Sequence, residues 1–291
     1  MKSGFVNIFG KPNAGKSTLM NALLGEKLAI VSHKSQTTRQ RIKGFINNPG
    51  IYQIVLSDTP GILDEPKYKL HEKMLQQVKN ALEDADVALL LVDANSPVEE
   101  AHELFLSLNL SVPILLVINK IDKVSKEKLD TVTSFFSSQL YGKNIMAISA
   151  LQQQYTNPLL DKIIELLPEG APYFPEDELT DLPVKFFCGE MIREKIFELY
   201  QEEIPYDTAI VVNEFKEKET LIKIQADIIV QRESQKGIIL GEKGNRIKEL
   251  GTSARIEIEK FLQQKVFLQL FVRVRPGWRD NETYLKEYGY H

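Results

Sequence analysis

Eight residues near the start of the chain, Gly10-Lys11-Pro12-Asn13-Ala14-Gly15-Lys16-Ser17, match the pattern G-x-x-x-x-G-K-[ST]. Glycines let backbone wrap closely around phosphate, and the N–H groups and dipole of a following helix favour the anion. Lys16 would reach the β- and γ-phosphates of a nucleotide. Ser17 would ligate Mg²⁺, with Thr18 next to it in the helix. Further on, Asp58-Thr59-Pro60-Gly61 offers a carboxylate that can hold Mg²⁺ through water and a Gly61 N–H that can meet a γ-phosphate. In Asn119-Lys120-Ile121-Asp122, Asp122 can accept both the N1–H and the N2 amine of guanine, donors that adenine does not have. Lys120 can stack along the base and Asn119 can tie this loop to the phosphate loop. Ser149-Ala150-Leu151 can present a backbone N–H to guanine O6.

These segments need strand ends to hold them. The apolar runs predict strands at Phe5–Phe9, Ile42–Asn47, Tyr52–Ser57, Val87–Val92, Ile114–Asn119 and Ile145–Ser149, each short and bounded by turn residues. Amphipathic stretches at Ser17–Leu24, Leu70–Asp84, Glu99–Asn109, Glu127–Leu140 and Pro158–Leu167 predict helices between them. Alternation of this kind builds a mostly parallel sheet covered on both faces, with ligands at the carboxyl ends of its strands. All four motifs fall at those ends. By this order and placement, residues 1–167 resemble a translation-factor-class GTPase domain. That implies a Ras-like six-stranded P-loop fold, GTP/GDP binding and Mg²⁺-dependent hydrolysis.

The polar loop Ser35-Gln36-Thr37-Thr38-Arg39 can sense the nucleotide, because a threonine there ligates Mg²⁺ only when the γ-phosphate is present. Resemblance to bacterial GTPases with a Thr-Thr-Arg sequence favours Thr38. Lys16, Thr38 and Gly61 are then the residues expected to act on the reacting phosphate, with Ser17, Thr38 and Asp58 around the magnesium. Ile62 stands where a Ras-type enzyme places the glutamine that orients water, and it cannot do that job. GTPases with an apolar residue there often use a potassium ion ligated by a phosphate-loop asparagine, so the resemblance implies K⁺ at Asn13. Turnover should be slow, on a scale of ~10⁻⁴–10⁻³ s⁻¹. Arg39 and Arg41 could reach the phosphates, but exposed loop arginines more often stay solvated or meet a partner.

Residues 168–183 hold four prolines and a run of acidic residues, and read as a linker. Beyond it, residues 184–291 predict the order α-β-β-α-α-β, with Gly241-Glu242-Lys243-Gly244 between two helices. A G-x-x-G turn lets nucleic-acid backbone approach its N–H groups. Together, order and turn indicate an α+β, type II KH RNA-binding domain. Ile228, Ile229, Ile238, Ile239, Leu240 and Ile247 are expected to line a groove for bases. Arg246 and Lys248 follow the turn, and Arg275 and Arg279 lie in the tail beside Trp278, Tyr284, Tyr288 and Tyr290. Whether Trp278 packs on the module or stacks on a base stays open.

The whole chain carries a net −4, which excludes a uniformly basic binder. From Ile228 to Arg279, however, 11 Lys/Arg face 5 Glu, a local +6 suited to phosphate. One cysteine, Cys188, and no leader or membrane-length apolar run predict a cytoplasmic protein. In GKPNAGKS, QTTRQR, DTPGI, NKID, SAL, IILGEKG and VRVRPGW the chain resembles the Era family of bacterial GTPases along its full length. The resemblance implies 16S ribosomal RNA and the small ribosomal subunit as partners, a role in 16S processing, a monomer, and peripheral association with the cytoplasmic face of the membrane. Gln152-Gln153-Gln154-Tyr155 replaces the Gly-rich spacer usual in that family after Ser-Ala. An RNA-binding scaffold without turnover, or a potassium-dependent tRNA-modification GTPase, are the other classes. Intact Lys16, Ser17, Asp58 and Asp122 argue against the first, and IILGEKG against the second.

Overall fold

The computed structural model describes residues 1–32, 34, 36–62, 65–139 and 144–290. Ser35 of the polar loop and Leu140, the expected end of a helix, lie outside them. The chain divides into two compact units, Met1–Glu65 with Met74–Asp181, and Pro66–Lys73 with Leu182–His291.

The first unit runs β1 (Lys2–Phe9), α1 (Lys16–Leu24), β2 (Ile42–Asn48), β3 (Tyr52–Asp58), α2 (Lys69–Glu83), β4 (Val87–Asp93), α3 (Val98–Ser107), β5 (Ile114–Asn119), α4 (Lys126–Ser138), β6 (Ile145–Ala147) and α5 (Thr156–Leu166). The first turn of α2 groups with the second unit. The six strands lie in the order β2-β3-β1-β4-β5-β6, all parallel except the antiparallel β2–β3 pair. Covered on both faces, β4 and β5 are near-continuous apolar runs, and Leu90, Val92, Leu116 and Ile118 join Phe9, Phe105 and Phe136 in one core cluster. Local chemistry sets the helix ends. The Ser125 hydroxyl caps α4 by accepting from the Lys128 N–H at 3.3 Å, and Gly25 closes α1 at φ 73°.

The Pro-rich segment expected as a free linker groups with the first unit through Asp181. It straps the β2–β3 side of the sheet. The buried Gln53 amide accepts from the Tyr173 and Phe174 N–H groups at 2.6 and 3.0 Å and donates to the Phe174 carbonyl at 2.8 Å. Phe174 stacks on Phe45 with centroids 4.1 Å apart, and the Phe45 N–H donates to the Leu179 carbonyl. Proline cannot build a ladder strand, yet side chains reaching from the sheet let this segment cover an otherwise open edge.

The second unit runs α6 (Val184–Leu199), α7 (Ile204–Asp207), β7 (Ala209–Glu217), β8 (Ile222–Val230), α8 (Glu233–Leu240), α9 (Asn245–Leu262), β9 (Val266–Val274) and α10 (Glu282–Glu287). The expected helix 184–203 is interrupted: Tyr200 is extended and Pro205 opens the short α7. In the sheet β7-β8-β9, β8 runs antiparallel to β7 and parallel to β9. Helices α6 and α9 cover one face, with Ile192, Ile224, Ala254 and Ile258 fully buried between them. Within this unit the Arg279 guanidinium lies 4.1 Å from the centroid of the Tyr68 ring, and Lys69 and Lys73 pair with Glu282 at 3.8 and 3.5 Å. No helix among the described residues is long and apolar enough to cross a membrane.

Candidate functional site

The loop between β1 and α1 turns on two left-handed residues, Asn13 at φ 64° and Gly15 at φ 99°. A Cβ on Gly15 would sit 2.3 Å from Asn119 Nδ2, so glycine is required both by conformation and by space. Lys16, buried, donates to the carbonyls of Gly10 and Lys11, each at 3.0 Å, and so folds over its own loop. Burial pulls its ammonium down to about 8, against the attraction of Asp58.

Three oxygens converge beside it. Ser17 Oγ donates to Asp58 Oδ2 at 2.6 Å, Thr38 Oγ1 donates to the same oxygen at 2.9 Å, and the two hydroxyls are 3.0 Å apart. Burial holds the Asp58 carboxyl above its usual range, although Lys16, Ser17 and Thr38 oppose the shift. The other carboxylate oxygen, Oδ1, is buried without a hydrogen-bond partner. Hard oxygen donors with an orphaned carboxylate oxygen suit a small divalent cation such as Mg²⁺. Thr37, by contrast, turns away and donates to the Lys34 carbonyl at 2.8 Å. The Gly61 backbone presses on Pro12: a Cβ there would lie 2.8 Å from Pro12 Cγ. Thr59 Oγ1 anchors the same loop by donating to the Ile8 carbonyl at 2.7 Å.

The opposite wall comes from the ends of β5 and β6. Asn119 Nδ2 donates to the Ala14 carbonyl at 2.9 Å, and Asn119 Oδ1 accepts from the Ala150 N–H at 3.0 Å. One buried amide thus joins the phosphate loop to the Ser149-Ala150 segment. Lys120, left-handed at φ 65°, donates to the Asn13 carbonyl at 2.6 Å. The Ser149 hydroxyl donates to Asp122 Oδ1 at 2.5 Å, orienting that carboxylate. A cavity of about 320 Å³ is lined by Pro12, Asn13, Lys16, Asp122 and Leu151, among others.

Several residues of this cavity escaped the motif reading. Ile30, Val31, Ser32 and Lys123 also line it, and no spacing rule marks them. Asp93, at the end of β4, pairs with Lys120 at 2.7 Å and accepts from the Asn95 N–H. Its place at a strand end was the signal that could have found it. Other expectations do not hold. Arg41 does not approach the phosphate loop, because its guanidinium is bound to Asp84, Ser57 and Asn7. Arg39 is buried rather than exposed. The Gln152–Tyr155 segment makes a closed turn in place of glycines, with the Ser149 and Gln154 backbones paired and Gln153 and Tyr155 both left-handed.

In the second unit, Gly241 and Gly244 flank the turn between α8 and α9 at φ 68° and 76°, with Glu242, Lys243 and Lys248 exposed. Of the expected groove residues, Ile228, Ile229 and Ile239 are buried, Ile239 fully, whereas Ile238 is exposed. Ile239 therefore belongs to the core, where its carbonyl accepts from the Tyr200 hydroxyl at 3.0 Å. Arg246 leans on the Tyr200 ring at 5.4 Å, with its stem packed over Gly241. Arg275 is exposed, but Arg279 is not: it pairs with the buried Asp207 at 2.5 Å and lies on Tyr68. Trp278 is a core residue, fully buried, its Nε1 donating to the Asp207 carbonyl at 2.9 Å.

Comparison with known proteins agrees with both halves. Residues 5–120 match the family described as 50S ribosome-binding GTPase, and residues 203–279 match the KH domain. The chain is 47% identical over 292 residues to GTPase Era of Geotalea uraniireducens, covering 99% of this chain and 98% of that protein. With GTPase Era of Carboxydothermus hydrogenoformans the identity is 43%, over 99% and 98%. Among solved structures, an Aquifex aeolicus Era variant bound to GDP and AlF₄⁻ superposes with a TM-score of 0.94 at 41% identity, covering 100% of this chain and 99% of that one. Era in complex with MgGDPNP and nucleotides 1506–1542 of 16S ribosomal RNA gives 0.94 at 42%, with the same coverage. A P-loop GTPase domain with a mostly parallel six-stranded sheet is followed by a KH domain, and the chain belongs to the Era family of GTPases.

Proposed function

We propose that this chain is a slow GTP-hydrolysing switch that binds 16S ribosomal RNA through its KH module and assists small-subunit assembly and 16S processing. The observation that carries the switch is the triad at Asp58, where Ser17 and the loop residue Thr38 bond to one carboxylate oxygen. A threonine from a separate loop in contact with the metal-binding pair can report the γ-phosphate.

In this reading, Ser17 and Thr38 would ligate Mg²⁺ and Asp58 would hold it through water. When bound, the ion neutralises charge on the β- and γ-phosphate oxygens. Lys16 leaves the carbonyls of its own loop for those oxygens, and Gly61 presents its N–H to the γ-phosphate. Asp122, oriented by Ser149, selects guanine while Lys120 lies along the base. Ile62 packs on the apolar core and cannot polarise water, which keeps turnover slow. Asn13, which lines the cavity, would be the residue to hold a K⁺ ion. Equal turnover in sodium and potassium chloride at matched ionic strength would remove that ion from the scheme.

Nucleotide state reaches the RNA module along the chain, since Pro66–Lys73, just after the Asp58–Ile62 loop, groups with the second unit. Linkage then makes RNA and nucleotide affinities reciprocal. What supports RNA binding is the exposed glycine-flanked turn, with Lys243 in it and Lys248 on the helix that follows, together with the exposed Arg275 just past β9. The site of action is the cytoplasm, and the working form a monomer. A buried thiol at Cys188 suits a reducing compartment. Peripheral membrane association is checked by co-sedimentation with anionic vesicles.

The test is RNA affinity of the full chain for the 1506–1542 fragment, in the GDP and the GDPNP states. The reading expects binding that differs between states and falls in Gly244→Asp. Equal affinity in both states sinks the coupling, and an unaffected Gly244→Asp variant sinks the role of the turn. Asp122→Asn should move preference toward xanthosine nucleotides, so unchanged preference for guanine would refute the assignment of base recognition.

A further inference from the structure

The sheet of the second unit has one face covered by α6 and α9 and one face without helices of that core. Along β9 the alternation is strict. Val266, Leu268, Leu270, Val272 and Val274 pack inward, whereas Phe267, Gln269, Phe271 and Arg273 point the other way. Phe267 is 50% exposed and Phe271 46%, large fractions for rings that could have been polar at no cost to the core. The parallel register sets Lys223 beside Phe267, Gln225 beside Gln269 and Asp227 beside Phe271. Gln225 Nε2 donates to Gln269 Oε1 at 2.6 Å, leaving the Gln269 amide nitrogen and the Gln225 carbonyl oxygen to address a further group.

We infer that this face of β9 is a stacking platform for single-stranded RNA, separate from the Gly241–Gly244 turn. The inference rests on the RNA-binding reading above and extends it to a second surface. Each ring is separated from the other by hydrogen-bonding or charged neighbours, so the face is not the contiguous apolar patch that a protein partner would need. Aromatic rings on an open sheet, interleaved with amides and cations, are how sheet-based RNA modules hold unpaired bases. The two rings are four residues apart on one strand, or roughly 13 Å. That is too far for adjacent stacked bases at a rise of about 3.4 Å. A base between them falls opposite Gln269. Charge agrees: residues 265–279 hold no Asp or Glu, and of their four basic residues Lys265, Arg273 and Arg275 are exposed, only Arg279 being held by Asp207. Of these, Lys265 and Arg273 keep 81% and 52% of their side-chain surface exposed. Arg273 is paired with Asp227, which aims the guanidinium along this face beside Phe271.

The experiment uses the full chain and a fluorescein-labelled oligouridylate of about ten nucleotides, a length within the site sizes of such platforms. Phe267→Leu and Phe271→Leu keep apolar bulk but lose the ring, whereas Phe267→Tyr and Phe271→Tyr keep it. Each Leu variant should bind about 5- to 100-fold more weakly, and each Tyr variant within about twofold of the wild type. If the Leu variants bind like the wild type, the platform does not exist, and the face is left to another partner. Tyr variants that lose as much as Leu variants also overturn it, because the loss then reflects packing rather than stacking. A wild-type chain that binds no oligonucleotide overturns the RNA-binding reading, and this inference with it.

Discussion

Asn119→Ala tests how the nucleotide site is held together. In the native chain this side chain is 2% exposed and bonds at 2.9 and 3.0 Å to the Ala14 carbonyl and the Ala150 N–H, residues 3% and 2% exposed. Alanine leaves one buried acceptor and one buried donor without partners. Each unsatisfied group costs about 1–3 kcal/mol, so the pair costs roughly 2–6 kcal/mol where the loops cannot open to water. Without nucleotide the two loops can separate and hydrate. With nucleotide bound they must close, so most of the cost falls on binding. Affinity for GDP and for GTP should drop together, by about 30- to 10⁴-fold. Asn119→Asp keeps an acceptor for the Ala150 N–H but sets a carboxylate oxygen against the Ala14 carbonyl, and should bind no better than the alanine variant. Titration of a fluorescent GDP analogue measures the affinity, with thermal melting of the free protein alongside. An affinity loss below about threefold in Asn119→Ala, with an unchanged melting temperature, would refute the clamp.

Other expectations follow from single contacts. Asp93→Asn should speed GDP release several-fold by freeing Lys120. In a Lys120→Ala background the same change should do nothing further, and additive effects in that double-mutant cycle would show Asp93 acting elsewhere. Gly61→Ala forces a methyl to within 2.8 Å of Pro12 Cγ, so GTP hydrolysis should fall at least tenfold while GDP affinity stays near normal; unaltered turnover would contradict this packing. Cys188 is fully buried, and burial pushes its thiol up to about 12. The reactive thiolate is therefore scarce below that pH, and labelling by a thiol reagent near pH 8 should wait for unfolding. Labelling of the native chain at the rate of a free thiol would disprove it. Trp278→Ala should cost about 3–5 kcal/mol in the second unit, read by melting, and leave GDP affinity unchanged.

The elements and the nucleotide motifs were legible because their signals are local. Strands β4 and β5 are unbroken apolar runs, and the phosphate loop is fixed by glycine spacing that few sequences satisfy by chance. The α-β-β-α-α-β order was legible for the same reason, apart from the break at Tyr200, where helical periodicity continues across a residue that the structure extends. Failures came where a side chain's direction mattered. Ile239 and Ile238 are adjacent and identical, yet one is core and the other exposed. Arg279 resembled an RNA contact by composition, and only the approach of Asp207 and Tyr68 shows that it is structural. Pro-rich residues 168–181 looked unstructured because their order depends on Gln53, Phe45 and Lys43, more than a hundred positions away.

By itself, the sequence determined which residue types could bind phosphate, metal, guanine and RNA backbone, since each chemistry needs particular atoms at short fixed spacings. The tertiary structure decided which of two neighbouring threonines meets Asp58, that one asparagine holds two loops, and that Asp93 steadies Lys120. Those outcomes rest on contacts between segments remote in sequence. The distances that settle them arise only when the sheet brings its strand ends together.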